Sequence, residues 1–119
     1  MARPHIKAVL VDCDGTLAPM QMRVTPKVRA KITALADQIP VGIVSSRDHH
    51  DVGWLAADLG FGAPQVSEGG ARIFRVGVKR PLWIKSMVAE DARSIVRFLE
   101  ERRHTFDAVD GNRRVSCAE

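Results

Sequence analysis

Val9-Leu10-Val11-Asp12-Cys13-Asp14-Gly15-Thr16-Leu17 decides how the rest of this chain is read. The apolar run begins at Ile6-Lys7-Ala8 and stops abruptly at two carboxylates and a glycine. A short, nearly continuous apolar run predicts a strand buried on both faces, as in parallel sheets. Side chains two apart in a strand share a face. Asp12 and Asp14 are therefore expected to look into one pocket, and Cys13 the other way. Gly15 permits a sharp turn with close backbone approach to a ligand, and Thr16 adds a hydroxyl and an amide. Two adjacent carboxylates repel, which splits their proton affinities. A hard divalent cation such as Mg²⁺, which prefers oxygen ligands, would relieve that repulsion. One carboxylate can then serve as nucleophile and metal ligand while the other moves a proton. Flanked by acids, the Cys13 thiol is expected to titrate high and to serve as packing. Taken alone, Asp-x-Asp-Gly also reads as a strand end with calcium-loop-like or turn chemistry; its place directly after a buried strand, together with Gly-Thr-Leu, favours the catalytic reading.

Outward from this stretch, Thr25-Pro26 marks a helix start, with Thr as N-cap and Pro at the first helical position. Val28, Ile32, Leu35 and Ile39 follow at helical spacing, and Pro40 closes the helix. Val41-Gly42-Ile43-Val44-Ser45 is a second buried strand. Asp48 caps a second helix with an apolar stripe of Val52, Leu55, Ala56 and Leu59, ended by Gly60. Gln65-Val66-Ser67 is a third strand. Strands joined by crossover helices run parallel with right-handed connections. The fold class is therefore α/β: a partial doubly wound, Rossmann-like parallel sheet, followed by the start of an α+β cap module. Ligands bind such sheets at the carboxyl ends of the strands, here Asp12–Thr16 and Ser45–Arg47.

After residue 70 the texture changes. Arg72–Val76 and Leu82–Lys85 read as short antiparallel strands around Gly77, and Val88–Arg103 as a helix with Val88, Ala92, Ile95, Val96 and Leu99 inward. Thr105–Val109 and Arg113–Cys117 read as a hairpin about Asp110-Gly111-Asn112. The domain reading is thus 1–70 for the core and 71–119 for the start of a second module.

Composition narrows the function classes. With 45% apolar and 27% charged residues, the chain suits a globular domain and not a disordered tail. No apolar run approaches the roughly 20 residues of a membrane span, and no signal-peptide pattern opens the sequence, so membrane partners are not expected and a cytoplasmic location is. Eighteen basic against fourteen acidic residues give a net +4, a mild excess that suits an anionic substrate. No dense basic block with interleaved aromatics points to nucleic acid. Cys13 and Cys117 form neither a disulfide framework nor a zinc site.

Asp12-Cys13-Asp14-Gly15-Thr16-Leu17 after an apolar strand closely resembles the first motif of the haloacid dehalogenase superfamily. VGIVSSR, residues 41–47, resembles the second, an apolar strand ending in Thr or Ser. Glu68-Gly69-Gly70-Ala71-Arg72-Ile73 resembles the Glu-Asn-Gly-Ala-x-Ile of its Cof-like, C2-capped sugar-phosphatase branch, where the second motif commonly ends Thr-Gly-Arg. The resemblance implies an Mg²⁺-dependent phosphatase acting on a small phosphorylated metabolite, of sugar phosphate or phosphoglycolate type. Asp12 would be the nucleophile and an Mg²⁺ ligand. Asp14 would protonate the leaving group, then activate water, and its carbonyl would touch the metal. Gly15, Thr16, Ser45, Ser46 and Arg47 would bind the substrate, with Thr16 and Ser45 on phosphate oxygens.

The chain departs from that family after Gly70. No Lys or Arg sits where the third motif belongs, since Lys79 and Lys85 precede the cap helix, and no acidic fourth motif follows. Asp107 and Asp110 are better explained by the hairpin. The chain therefore reads as the amino-terminal part of a longer phosphatase, incomplete or inactive alone. The alternative is a non-catalytic remnant kept as a binding or subunit-pairing module. Either way an unfinished sheet leaves apolar surface exposed, so the expected partner is a second copy or the missing carboxyl-terminal half. A phosphoacceptor receiver is disfavoured, because Ser67-Glu68-Gly69 offers no Asp after the third strand. His49 and His50 read as a solvated helix end, Trp54 and Trp83 as packing anchors, and Met20 and Met22 as part of a mobile flap.

Overall fold

The computed structural model describes residues 5–20, 23–111 and 113–117; Met22 and Asn112 lie outside them. The chain falls into two compact units, Met1–Lys85 and Ser86–Glu119. In the first, β1 (Val9–Asp12), α1 (Pro26–Ala36), β2 (Val41–Val44), α2 (His49–Asp58) and β3 (Gln65–Ser67) alternate, and β4 (Arg72–Phe74) and β5 (Trp83–Ile84) follow. One five-stranded sheet results, in the order β1-β2-β3-β4-β5. β1, β2 and β3 pair in parallel, while β3–β4 and β4–β5 pair antiparallel.

The local signals act as the sequence predicts. Thr25 Oγ1 accepts from the Val28 amide, with Pro26 opening α1. Asp48 accepts from the amides of His50 and Asp51, satisfying two donors that a helix start leaves unpaired. Gly60 takes a positive φ of 71° just beyond α2.

Two right-handed crossovers moving the same way across a sheet put both helices on one face. Val41 pairs opposite Val9 and Ile43 opposite Val11 on that face. There Cys13, Val41, Ile43, Val52, Leu55 and Ala56 are buried, with Val9, Val11, Val28 and Ile32 packed against them. The opposite face carries Leu10, Gly42 and Val44. Leu10 is 60% exposed, which corrects the expectation of a first strand buried on both sides. β1 is an edge strand within these residues, and nothing among them covers its second face. Of a doubly wound arrangement the described residues of the first unit thus carry one helical layer.

Gln65 joins the sheet through its side chain. It is fully buried; its Oε1 accepts from the Ile43 amide at 2.6 Å and its Nε2 donates to Ala63 O at 2.7 Å. A buried amide survives only when paired on both ends, so Gln65 fixes β3 beside β2, where the backbone register is a single pair, Val44 with Val66.

β4 and β5 extend this sheet. The sequence reading divides the chain at 70/71, and the first compact unit runs to Lys85. The reason is hydrogen bonding: the free edge of β3 is satisfied by residues 72–74 folding straight back on it.

The second unit contains α3 (Ala89–Glu101) and a hairpin of β6 (Phe106–Asp110) and β7 (Arg113–Cys117), in register from Phe106–Cys117 to Asp110–Arg113. Gly111 takes φ 55° just beyond β6, a left-handed conformation that glycine adopts without strain. Ala92, Val96 and Leu99 are half-buried, but Val88 and Ile95 are exposed, contrary to the expected inner face. A lone two-stranded hairpin is too small to cover a whole helix stripe.

Gly42 makes the close packing of the first unit possible. A Cβ built there would meet the Pro64 carbonyl oxygen at 2.4 Å and Leu10 Cδ2 at 2.9 Å. Gly42→Ala is therefore expected to destabilise the chain by about 1–3 kcal/mol, read as a lower urea midpoint with an unchanged m-value. An unchanged midpoint would show that β3 and Leu10 yield freely.

Candidate active site

The site grows from two strand ends lying side by side, Asp12 opposite Val44. After Asp12 the chain turns at once. The Cys13 carbonyl accepts from the amides of both Leu17 and Ala18 at 3.0 Å, and the Gly15 amide donates to Ala18 O at 2.7 Å. Gly15 has φ 80° and open space where a Cβ would stand, so the turn conformation, not a close neighbour, requires glycine. Cys13, Leu17 and Ala18 anchor the loop in the core. Its polar residues are thereby left outside: Asp12 is exposed, and Thr16 Oγ1 donates to its Oδ2 at 3.4 Å.

The second loop meets the first through Arg47. Arg47 Nε donates to Asp14 Oδ2 at 2.8 Å, and the second guanidinium nitrogen donates to Oδ1. This two-pronged pair spans 33 residues of sequence and holds the guanidinium charge even more firmly than usual, first through the hydrogen bonds to Asp14. Ser45 is buried; its Oγ accepts from the Arg47 amide at 3.2 Å, which leaves its hydrogen to donate elsewhere. Ser46 is exposed beside it. The structure thus joins Asp12 with Thr16, Asp14 with Arg47, and Arg47 with Ser45, and it sets Gly15 in the turn between them.

Cys13 is only 1% exposed. Its thiol is pushed up, first by burial; Arg47 opposes this, and Asp14, Asp12 and Asp51 add to it. The direction matches the sequence reading, but burial outweighs the flanking acids as its cause.

His49 departs most from expectation. It is not a solvated helix end: its side chain is 11% exposed and its Nδ1 lies 2.7 Å from Glu68 Oε1. A carboxylate oxygen accepts, so Nδ1 carries the hydrogen. The His50 ring lies 4.1 Å from its own and Phe74 meets it edge-on at 6.3 Å. Its Nε2 is buried with no hydrogen-bond partner among the described residues. Glu68 also approaches the buried Arg72, at 3.3 Å. Sequence reasoning passed over this cluster because its members stand 19 and 4 residues apart; the one signal was a glutamate in front of Gly69-Gly70.

Neither tryptophan is a packing anchor. Trp54 is 67% exposed and Trp83 47% exposed, and Trp54 borders a groove of about 610 Å³ that also touches Cys13, Arg23, Arg29 and Arg47. In the second unit Asp107 pairs with Arg114 at 2.6 Å and with Ser116. Those bonds, Ser116 first, lower its carboxyl pKa, and they give Asp107 a structural role within the hairpin.

Mg²⁺ fits these residues in kind but not in number. Asp12 and the Asp14 carbonyl are hard oxygen donors, whereas the ion takes about six oxygens in octahedral order. Among the described residues no three acidic, His or Cys side chains converge on one point, and both Asp14 oxygens are engaged by Arg47. No helix among the described residues is long and apolar enough to cross a membrane.

The sequence profile of the haloacid dehalogenase-like hydrolases matches residues 9–117. No curated protein is similar enough to count as a match. Among solved structures, a haloacid dehalogenase-like hydrolase from Bacteroides thetaiotaomicron superposes with a TM-score of 0.81 at 21% identity, over 94% of this chain and 44% of that one. One from B. subtilis superposes at 0.79 with 24% identity, over 96% and 40%. A structure described as a HAD subclass IIB sugar phosphatase superposes at 0.76 with 18% identity, over 94% and 44%. The chain therefore spans less than half the length of these structures.

The contrast between the two thiols gives a direct check. In the folded chain one thiol, the exposed Cys117, is expected to react with a thiol reagent at pH 8, and both only after denaturation. Rapid titration of two thiols in the native chain would contradict the burial of Cys13.

Proposed function

From the premise that the chain belongs to the haloacid dehalogenase-like hydrolases, we propose that it is the amino-terminal part of an Mg²⁺-dependent, cytoplasmic phosphatase of a small phosphorylated metabolite. The observation that carries this reading is the meeting of the two loops: Asp12 with Thr16 on one, Ser45 with Arg47 on the other, joined through Asp14.

In this reading Asp12 Oδ attacks phosphorus and the bond to the leaving oxygen breaks. Asp14, protonated once the guanidinium turns from its carboxylate to the incoming phosphoryl group, supplies the proton that oxygen takes up. Asp14 then removes a proton from water, which attacks the aspartyl-phosphate and releases inorganic phosphate. Thr16 and Ser45 donate hydroxyl hydrogens to the phosphoryl oxygens, and Arg47 both orients Asp14 and adds positive charge. Mg²⁺, held by Asp12 and the Asp14 carbonyl together with ligands from outside these 119 residues, would neutralise charge on the phosphoryl group. The sugar phosphate class rests on likeness alone: one superposing structure is described as a sugar phosphatase.

The test is binding and turnover on the same protein. Inorganic phosphate with Mg²⁺ is expected to shift the amide resonances of Gly15, Thr16, Ser45 and Arg47. Hydrolysis of a generic phosphate monoester is expected to stay at the level of Asp12→Asn. Phosphate that leaves those amides unmoved would overturn the reading. Hydrolysis that vanishes in Asp12→Asn would confirm the nucleophile and show that the missing ligands are dispensable.

A second reading, a non-catalytic module for binding or subunit pairing, is favoured by one observation. The outer edge and second face of β1 are bare, with Leu10 and Ile6 about 60% exposed. The partner proposed for that surface is the carboxyl-terminal remainder of a longer protein or, in its absence, a second copy. The isolated chain is accordingly expected to self-associate with rising concentration in sedimentation velocity, and Leu10→Lys to weaken that association. A monomer across the accessible range would count against it.

A further inference from the structure

Glu68 stands in an unusual place for a side chain. Its φ is 54°, in the left-handed region that L residues rarely enter, and Gly69 and Gly70 follow at 63° and 97°. A third glycine would fit there without strain. The carboxylate accounts for the glutamate: Oε1 accepts from His49 Nδ1 at 2.7 Å and from the His49 amide at 3.3 Å, and Oε2 lies 3.3 Å from Arg72 Nε. The backbone of the same turn grips the second loop at two points. The Glu68 amide donates to Arg47 O at 2.8 Å, and the Gly69 amide to Ser45 O at 3.2 Å. One turn thus holds both carbonyls that flank Ser46, the first residue of α2, and β4.

We propose that Glu68 is a positioning residue that sets the Ser45–Arg47 loop, and with it the Arg47 guanidinium, against Asp14. It touches no substrate in this scheme; it acts through His49, Arg72 and the two carbonyls. The proposal rests on the reading of that loop as phosphate-binding, and its test separates the two.

The experiment follows the Arg47 side-chain Nε–H resonance, assigned with Arg47→Lys, and titrates inorganic phosphate with Mg²⁺ into wild type, Glu68→Gly and Glu68→Gln. Glu68→Gly suits the backbone and keeps the amide bonds but removes the carboxylate. It is expected to stay folded with a lowered thermal midpoint, because His49 and Arg72 lose a buried partner, to lose the sharp Arg47 Nε–H signal and to bind phosphate about tenfold more weakly. Glu68→Gln, which retains an acceptor for His49, is expected to restore the signal. A Glu68→Gly chain with the wild-type signal and affinity would overturn the proposal. Should Glu68→Gly fail to fold, His49→Ala removes the carboxylate's partner instead and carries the same expectation and the same reversal. Should wild type bind no phosphate, the reading of the loop fails, and the Arg47 signal alone decides whether Glu68 positions it.

Discussion

The pair between Arg47 and Asp14 is the contact on which the site depends. Each side chain stands on a loop that hangs from the end of a parallel strand. Parallel pairing brings the strand ends level, but only to within the spacing of neighbouring strands. The guanidinium then closes the remaining gap with two charge-assisted hydrogen bonds in fixed geometry. A lysine, with one point charge on a flexible stem, would close the gap without fixing the plane of the carboxylate.

Around that contact the protein spends its apolar residues on one face. Cys13, Leu17 and Ala18 pull the first loop down onto the core, and this is what holds Asp12 and Thr16 outward. Ser45, Gln65, Ser67 and Arg72 are buried polar residues in the same neighbourhood. Burying polar groups is costly unless they are paired; Gln65 is bonded at both ends, Ser45 accepts from the Arg47 amide and Arg72 lies against Glu68, whereas Ser67 Oγ has no hydrogen-bond partner among the described residues. The second sheet face is the reverse case: Leu10 and Val44 stand exposed with no layer over them.

Most of the first unit was legible in the sequence because its signals are local. Thr25-Pro26, Asp48 and Gly60 each act within a turn of the residue that carries them, and the stripe of Val52, Leu55, Ala56 and Leu59 needs only helical spacing to be recognised. Val41–Val44 and Gln65–Ser67 were legible as short runs bounded by turn formers. That β4 joins the first sheet, beside β3, was not. Short strands carry no label for the sheet they join, and the free edge of β3 decided that. Leu10 was misread for a similar reason, since an apolar run looks the same at a sheet edge as at its centre.

By itself, the sequence determined the class of fold and offered a proposal for where chemistry gathers, since an apolar strand running into Asp-Cys-Asp-Gly-Thr carries both readings in consecutive residues. The tertiary structure decided which side chains actually meet. Arg47 reaches Asp14 across 33 residues and Glu68 reaches His49 across 19. Tryptophans expected inside stand exposed. Periodicity and capping act over a few residues and are written in order along the chain. Ion pairs and burial depend on distances in space, which are set only when β1, β2 and β3 lie side by side.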